Sequence, residues 1–488
     1  MNLLPLQISA KQKILLFSVL VLLAFGFAFA TVFQAYWVIF LPVAIAAILI
    51  SILYTEKALL FFGALAPLSV NNDNLFGGFG MSLPTEPMYI FLFLLLIFNV
   101  YREGRINLNT LKHPLVIMVV IYLAWLWIAS IFSSLPLVSV KYSLARTWYI
   151  TLFFFFGIRI FRDYSKIHWF LSAFTIFTLI CVAYTLIMHS VDGFSRSASY
   201  GISWPFFPDH GMYAASIAFA FFILFFYTFY VRQFNFHVFF SPLLLFALFV
   251  LTFGIIVSFT RATWLSLVVA FGVWGLLRIK VKFSWIFVVL LSVGTYAVIQ
   301  QDEILYSLEA NKQGSSDELE GHVKSVSNIT TDPSNLERIN RWKCAGRMVS
   351  ERPLFGFGPG TYVFKYGPFQ KSSELTIIST NSGDLGDAHS EFFSAMSEMG
   401  YIGLIVWSSL VLLTISTGFK VIYQTSVARV KLTASIVLLG LITYYIHAIL
   451  NNYSQYDKVA VPLWAFTAII VVLDLYHKNG IVNAQKDI

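Results

Sequence analysis

Apolar residues fall in blocks along this chain, parted by short polar clusters and by one long polar interruption. A bilayer crossing takes about 20 apolar residues in a helix. Blocks of that kind cover 14–33, 36–54, 58–70, 86–101, 114–133, 147–161, 167–189, 211–230, 238–258, 262–277, 283–299, 400–418, 432–450 and 459–476. The block at 58–70 is the shortest and contains Pro67, which predicts a half-span or a re-entrant piece. Residues 300–388 make up the polar interruption. The pattern predicts an all-α, polytopic integral membrane protein with about 12–14 transmembrane helices. Residues 1–299 form an N-terminal bundle of about 11 spans, 300–388 one large helix-containing loop, and 389–488 a C-terminal group of about three spans.

Composition agrees. Hydrophobic residues are 58% and charged residues 11% of the chain, against roughly 25% charged in a soluble domain. Lys11 and Lys13 precede a long apolar run with no small-residue cleavage pattern, so this run is read as a first span rather than a leader. The net charge of +8 calls for no nucleic acid, because its placement orients the protein. One side of the spans collects 18 Lys and Arg in its connections. The short connections of the other side carry five: Lys141, Arg146, Arg196, Arg261 and Lys458. Basic connections stay cytoplasmic, so both termini are expected in the cytoplasm and the 300–388 loop outside. Cys181 falls inside a span and Cys344 in the loop, so no disulfide is expected between them.

Within the loop, Gly314 to Leu319 reads as a surface turn. Asp332-Pro333-Ser334-Asn335 looks like a helix start. Leu336 to Ser350 is predicted helical, with Ile339, Trp342, Gly346 and Val349 as its apolar stripe and Pro353 as its stop. Leu354 to Tyr362, with Gly356, Gly358 and Gly360, reads as a tight turn region rather than a nucleotide loop.

Polar groups with chemical potential gather at the outer ends of spans. Arg261 is either an interfacial cation or a ligand for phosphate oxygens, which a guanidinium grips as a fork. Arg338 and Arg341 stand three apart on the loop helix, so they share a face, and with Arg347 they form either a polyanion clamp or a solvated basic surface. His389 opens the first span after the loop. A neutral imidazole there suits general base work, with Asp387 and Glu391 close enough in sequence to orient it, or it simply caps the helix. Ser390 is a conceivable nucleophile, but no Ser-His-Asp arrangement is legible. Asp209 and His210 begin another span, as substrate ligands or as a cap. Asp384 and Asp387 make no recognisable metal pair, and the sequon at Asn328 carries no weight.

Three of these stretches, in order, resemble the O-antigen ligase and polymerase superfamily of bacterial glycan transferases. Arg261 with Leu265 is similar to an Arg-x-x-x-Leu element. Arg341-Trp342 followed by Glu351 to Tyr362 is similar to the family's loop helix and Gly-rich turn. His389-Ser390, nine residues, Gly400 and then Gly403 is similar to the ligase pattern. Phe207 to His210 and Tyr213 resemble a fourth, less diagnostic stretch. The likeness is strong over about 258–410. It implies a glycosyltransferase of the inner membrane acting on the periplasmic side, with no cofactor, metal or nucleotide. The donor would be a glycan on undecaprenyl pyrophosphate and the acceptor a sugar hydroxyl of the lipid A core. His389 would be the base, and Arg261 and Arg341 would stabilise the leaving pyrophosphate. Direct displacement would invert the anomeric carbon. The extra N-terminal spans leave the subclass open between ligase, polymerase and protein O-glycosylation. A transporter of lipid or polysaccharide is the reading from another class. It calls for charged or broken helices at mid-bilayer, where this chain shows plain Phe/Leu/Ile runs.

Overall fold

Long runs of Leu, Ile, Phe and Val cannot leave backbone groups unpaired in a lipid phase, and helices satisfy those groups internally. The computed structural model describes residues 41–72, 80–103, 108–285, 333–376 and 386–481, with scattered positions near 288–300 and at 379. The first expected span, most of the one at 283–299, the turn at Gly314, Asp332, Asn328 and Asp384 lie outside the described residues.

The helices are α1 (Leu41–Leu53), α2 (Thr55–Ala64), α3 (Thr85–Glu103), α4 (Pro114–Ile131), α5 (Pro136–Phe161), α6 (Tyr164–Val191) and α7 (His210–Phe229). They continue with α8 (Ser241–Val257), α9 (Arg261–Arg278), α10 (Pro333–Glu351), α11 (Glu391–Gln424), α12 (Ala428–Leu450) and α13 (Asp457–His477). Eight of the described helices, counting α8 from Val238, are long and apolar enough to cross a membrane; Pro42–Leu53 and Thr85–Tyr101 are shorter apolar helices. A two-stranded antiparallel hairpin pairs β1 (Val70–Asn72) with β2 (Met81–Leu83).

Helix α12 is the axle of the bundle. It packs against α7, α9, α11 and α13, while α11 also packs on α4 and on α10. α7, α12 and α13 are buried over most of their length, and α8 is mostly exposed. A helix apolar all round can occupy such a centre or face lipid equally well, so hydropathy alone does not order the bundle.

The block at 58–70, expected as no more than a half-span, is the ten-residue α2 followed by a short 3-10 turn and β1. Two expectations need correction. The span expected at 147–161 starts at Pro136, and Lys141 and Arg146 therefore stand on α5 rather than in a connection. Lys458 is on α13, fully buried, with Nζ 3.1 Å from Asp457 Oδ1, 2.7 Å from Ser69 Oγ and 3.0 Å from Asn71 Oδ1. Both cysteines are buried and unpaired, as expected.

Helix α11 breaks at Gly400, whose φ is 71° and ψ −175°. The carbonyls freed on the preceding turn are all reclaimed. Ser397 O accepts from Phe357 N at 3.0 Å, Glu398 O from Gly358 N at 2.9 Å, and Met399 O from Trp125 Nε1 at 2.9 Å. The Gly-rich turn is thus docked into the break, and Tyr401 N returns a bond to Pro353 O at 2.9 Å. Gly356, Gly358 and Gly360 all have positive φ. A Cβ at Gly356 would overlap the Glu398 backbone. This is why the motif needs glycine on both sides of the contact.

Candidate active site

Helix α12 ends in His447, Ala448, Ile449 and Leu450, followed by Asn451, Asn452 and Tyr453. Each of the candidate elements is tied to this end. Buried His447 places Nε2 3.0 Å from Thr263 Oγ1, on the first turn of α9, and Nδ1 3.0 Å from Asn451 Nδ2. An amide donor at Nδ1 leaves the imidazole proton on Nε2, facing Thr263. The Tyr453 hydroxyl lies 3.3 Å from Asn451 Oδ1 and 3.1 Å from Asp209 Oδ1. Ser390 Oγ donates to Ala448 O at 3.4 Å, and Arg338 Nε donates to Leu450 O at 3.2 Å. A cation over the last carbonyls of a helix meets its negative dipole end.

His389 is held on every side that matters. Its Nδ1 is 3.1 Å from Asp387 Oδ1, its backbone N–H donates to the same oxygen at 2.9 Å, and its carbonyl accepts from Trp342 Nε1 at 3.4 Å. The Trp342 ring stacks on Phe393, 5.1 Å between centroids. Such a lock permits φ of 47° at a non-glycine residue, a conformation that costs about 1–3 kcal/mol and survives only where surroundings impose it. Asp387 fixes the proton on Nδ1 and leaves Nε2 to accept one. The side chain keeps 38% of its surface exposed. Its pKa is lowered: partial desolvation pushes it down most, Arg338 and Arg341 add to that, and Asp387 opposes them. The imidazole is therefore neutral near pH 7, the form a base requires.

Glu391 does not orient His389. Its Oε1 accepts from Tyr444 Oη at 2.6 Å and from Ser454 N at 2.7 Å, and its Oε2 is 3.7 Å from Arg146 NH2. Buried charges need such partners, and helix α11 turns Glu391 toward α5 and α12 rather than back to position 389. Ser390 is no nucleophile here: it is fully buried and caps α11, accepting from Phe393 N at 3.5 Å. Asp209 caps α7, its Oδ1 taking Gly211 N at 2.7 Å and Met212 N at 2.9 Å. His210 sits at that helix start, and its carbonyl accepts from Thr260 Oγ1 at 3.2 Å. This bond joins the α7 start to the turn that carries Arg261, which follows Phe259 with φ of 51°.

The loop helix differs from its expected stripe. Its buried positions are Glu337, Asn340, Arg341, Cys344, Ala345, Met348 and Val349, whereas Ile339, Trp342 and Gly346 are half-exposed. Arg341 is thus inside, 3% exposed, with Nε 2.6 Å from Glu337 Oε1 and its guanidinium 4.0 Å above the Tyr366 ring. A Cβ on Gly386 would overlap that guanidinium, so Arg341 lies directly under Gly386, next to Asp387 and His389. Burial pushes the Glu337 carboxyl up, but hydrogen bonds from Ser379 and Arg341 outweigh it and the net direction is down, so it stays ionised. Arg341 NH1 is buried and has no hydrogen-bond partner among the described residues. Arg347 closes the loop on itself, NH2 to Glu374 Oε2 at 2.8 Å and Nε to Phe369 O at 2.6 Å.

The field of Arg338 reaches His210, His389 and Tyr453 alike, so elements 50 to 180 residues apart in sequence converge on one end of α12. Residues 246–408 match the family described as O-antigen ligase. Over that third of its length the chain is similar to this family.

The matched stretch begins within α8 and ends within α11, just past Gly400 and Gly403. It contains Arg261, Arg338, Arg341, the Gly-rich turn and His389. No curated protein matches the chain. The hub that assembles these groups lies outside the matched stretch, on α12 and on the α7 start. His447, Asn451, Asn452 and Tyr453 went unnoticed in the sequence. Their signal was present, since a histidine and paired asparagines at the end of an apolar block resemble the Asp209-His210 cluster that did draw notice.

Proposed function

We propose that this protein transfers a polysaccharide from undecaprenyl pyrophosphate to a sugar hydroxyl of a lipid A core, at the periplasmic face of the bacterial inner membrane and without a metal. The acceptor hydroxyl gives its proton to His389 Nε2 as its oxygen attacks the anomeric carbon. The bond from that carbon to the pyrophosphate oxygen breaks, its electron pair leaves with the phosphate, and the configuration inverts. Arg261 and Arg338 meet the negative charge that builds on the leaving group, which fixed cations in a site of low polarity stabilise strongly. Arg341 offers NH1 to the same group and supports Gly386 before His389. His210 and Asp209 form the rim on the donor side. The segment 300–388 acts as a cover that excludes water from the reaction, between an N-terminal bundle over 1–299 and a C-terminal group over 389–488.

The observation that carries this reading is the gathering of the Asp387–His389 pair, Arg338 and the Arg261 turn on one helix end. The orientation, with both termini cytoplasmic, rests on charge. Of the five cations first counted on the loop side, Arg146 and Lys458 are buried in ion pairs, which leaves Lys141 near the start of α5 together with Arg196 and Arg261, three against 18.

The test is complementation in a host lacking its own ligase, with lipopolysaccharide resolved on a gel. The wild-type chain is expected to restore capped, full-length chains, and His389→Ala at normal membrane levels to leave bare core. Capping that survives His389→Ala would overturn the base assignment. Lengthening of single-repeat chains in a polymerase-deficient host, without capping, would move the acceptor to a growing glycan, and glycan on protein hydroxyls would move it to a protein.

A further inference from the structure

A cavity of about 450 Å³ opens on the loop face beside the Asp387–His389 pair, within the roughly 300–1,000 Å³ of small-molecule sites. It lies between the β1–β2 hairpin, the loop-side end of α5, the end of the Gly-rich turn, α11 before its break and the stretch after α12. Asp387 lines it, so it shares a wall with the candidate base.

Its chemistry is unlike that of the arginine side. Glu86, Asp387 and Glu398 are on its walls, and Lys141 is the one basic residue among the described lining residues. Glu398 is 5% exposed and held by Tyr362 N at 3.1 Å. Asn452, 6% exposed, sits 2.9 Å from Ser394 Oγ and 3.0 Å from the Glu391 carboxylate. A pyrophosphate has no place among these carboxylates. Sugar hydroxyls do, since carboxylate and amide groups accept and donate the bonds they need. Apolar platforms are present as well: Tyr142, Tyr456 and Phe364, the last 50% exposed at the lining. Gln455 lines the same space half-exposed and forms no hydrogen bond among the described residues. Ring faces together with amides and carboxylates are what an uncharged pyranose, with its apolar face and hydroxyl rim, requires.

We propose that this cavity is a saccharide subsite that holds an uncharged sugar ring of the substrate next to the Asp387–His389 pair, opposite the cationic side of the site. The proposal rests on the glycan-transfer reading for which substrate supplies the ring, and on the cavity alone for the chemistry of what binds. The phosphate end of the reaction then lies toward Arg338 and Arg261 and the hydroxyl-rich end toward Glu398 and Asn452. His389 stands at the boundary of the two.

The test uses Phe364→Ala and Gln455→Ala in the full chain in lipid nanodiscs, since neither side chain is buried and both variants should fold. In a transfer assay with rough lipopolysaccharide as acceptor, each is expected to raise one substrate's KM roughly tenfold, the loss of about one good contact, with kcat within about twofold. A rise in the acceptor KM assigns the ring to the acceptor, and a rise in the donor KM assigns it to the donor glycan. No change in either KM, or a fall in kcat alone, overturns the proposal. A second measurement does not depend on transfer. Saturation-transfer proton NMR with core oligosaccharide, and phosphorus-31 line broadening with inorganic pyrophosphate, should show oligosaccharide contact that the Phe364→Ala/Gln455→Ala double variant loses and Arg338→Ala keeps. If transfer is absent but this pattern holds, the function reading fails and the subsite stands. Equal oligosaccharide contact in wild type and double variant, or a pyrophosphate signal lost in the double variant, overturns the subsite.

Discussion

Gly400→Ala is the perturbation whose size can be worked out most directly. Gly400 has φ 71° and ψ −175°, a region open to glycine almost alone, and forcing a side chain into it costs about 1–3 kcal/mol. The new Cβ would overlap the Leu354 carbonyl and approach Pro353 O at 2.6 Å. These are backbone atoms, and Pro353 O is the acceptor for Tyr401 N at 2.9 Å. Breaking that bond in a water-poor setting costs a further 1–3 kcal/mol, roughly. The sum of about 2–6 kcal/mol is a large part of the roughly 5–15 kcal/mol that holds a domain together. It falls on one joint, where relief is cheapest by lifting the 353–360 turn out of the α11 break. The variant should therefore reach the membrane, show faster limited proteolysis at this turn, and lose glycan transfer. Gly346→Ala is the control. It lies in α10 with open space at its Cβ, and alanine in a helix interior gains up to about 1 kcal/mol over glycine. If Gly400→Ala matches wild type in proteolysis and transfer, the docking of the Gly-rich turn into the break is not what the motif serves.

Three other outcomes follow from the same geometry. The acid limb of kcat/KM should lie below an ordinary histidine, because His389 must be neutral to act and its pKa is lowered. Arg338→Ala removes a cation that disfavours the imidazolium and should move this limb to higher pH, whereas Asp387→Asn removes an anion that favours it and should move the limb lower; a limb that stays put in both variants would dissociate it from His389. His447→Phe should cost about 1–3 kcal/mol, since Thr263 and Asn451 each lose a buried partner. Detergent-phase unfolding would show this, and transfer should fall with it, because the Arg261 turn loses its tie to α12. Lys458→Met leaves Asp457 buried without its cation and should destabilise by about 3–5 kcal/mol, while the Lys458→Met/Asp457→Asn pair should recover much of that loss; a single variant as stable as wild type would mean that water reaches Asp457.

The blocks of apolar residues marked the helices of this protein because helix hydropathy is local, and the α3, α4, α6, α7 and α12 bounds fall close to where the blocks do. The same local logic put Arg261, Arg338, Arg341, His389 and the Asp209–His210 pair at polar ends, and the glycines at a turn. It failed where a side chain's fate depends on a helix far away in the chain. Arg146 and Lys458 were read as connection cations, yet Glu391 and Asp457 take them inside. Glu391 was read beside His389, yet α5 and α12 claim it. The stripe on α10 was placed on its apolar residues, yet Glu337 and Arg341 are buried because Tyr366 and Gly386 close over them. His447, Asn451 and Tyr453 bring the candidate groups together through contacts that span as much as 244 residues. By itself the sequence determined a polytopic helical membrane protein with arginines and a histidine at span ends, since those features need only neighbours along the chain. Which ends meet, which charges are buried, and where a cavity opens were decided by how apolar helices pack around α12. Hydropathy makes those helices interchangeable, and only side-chain fit and buried polar partners tell them apart.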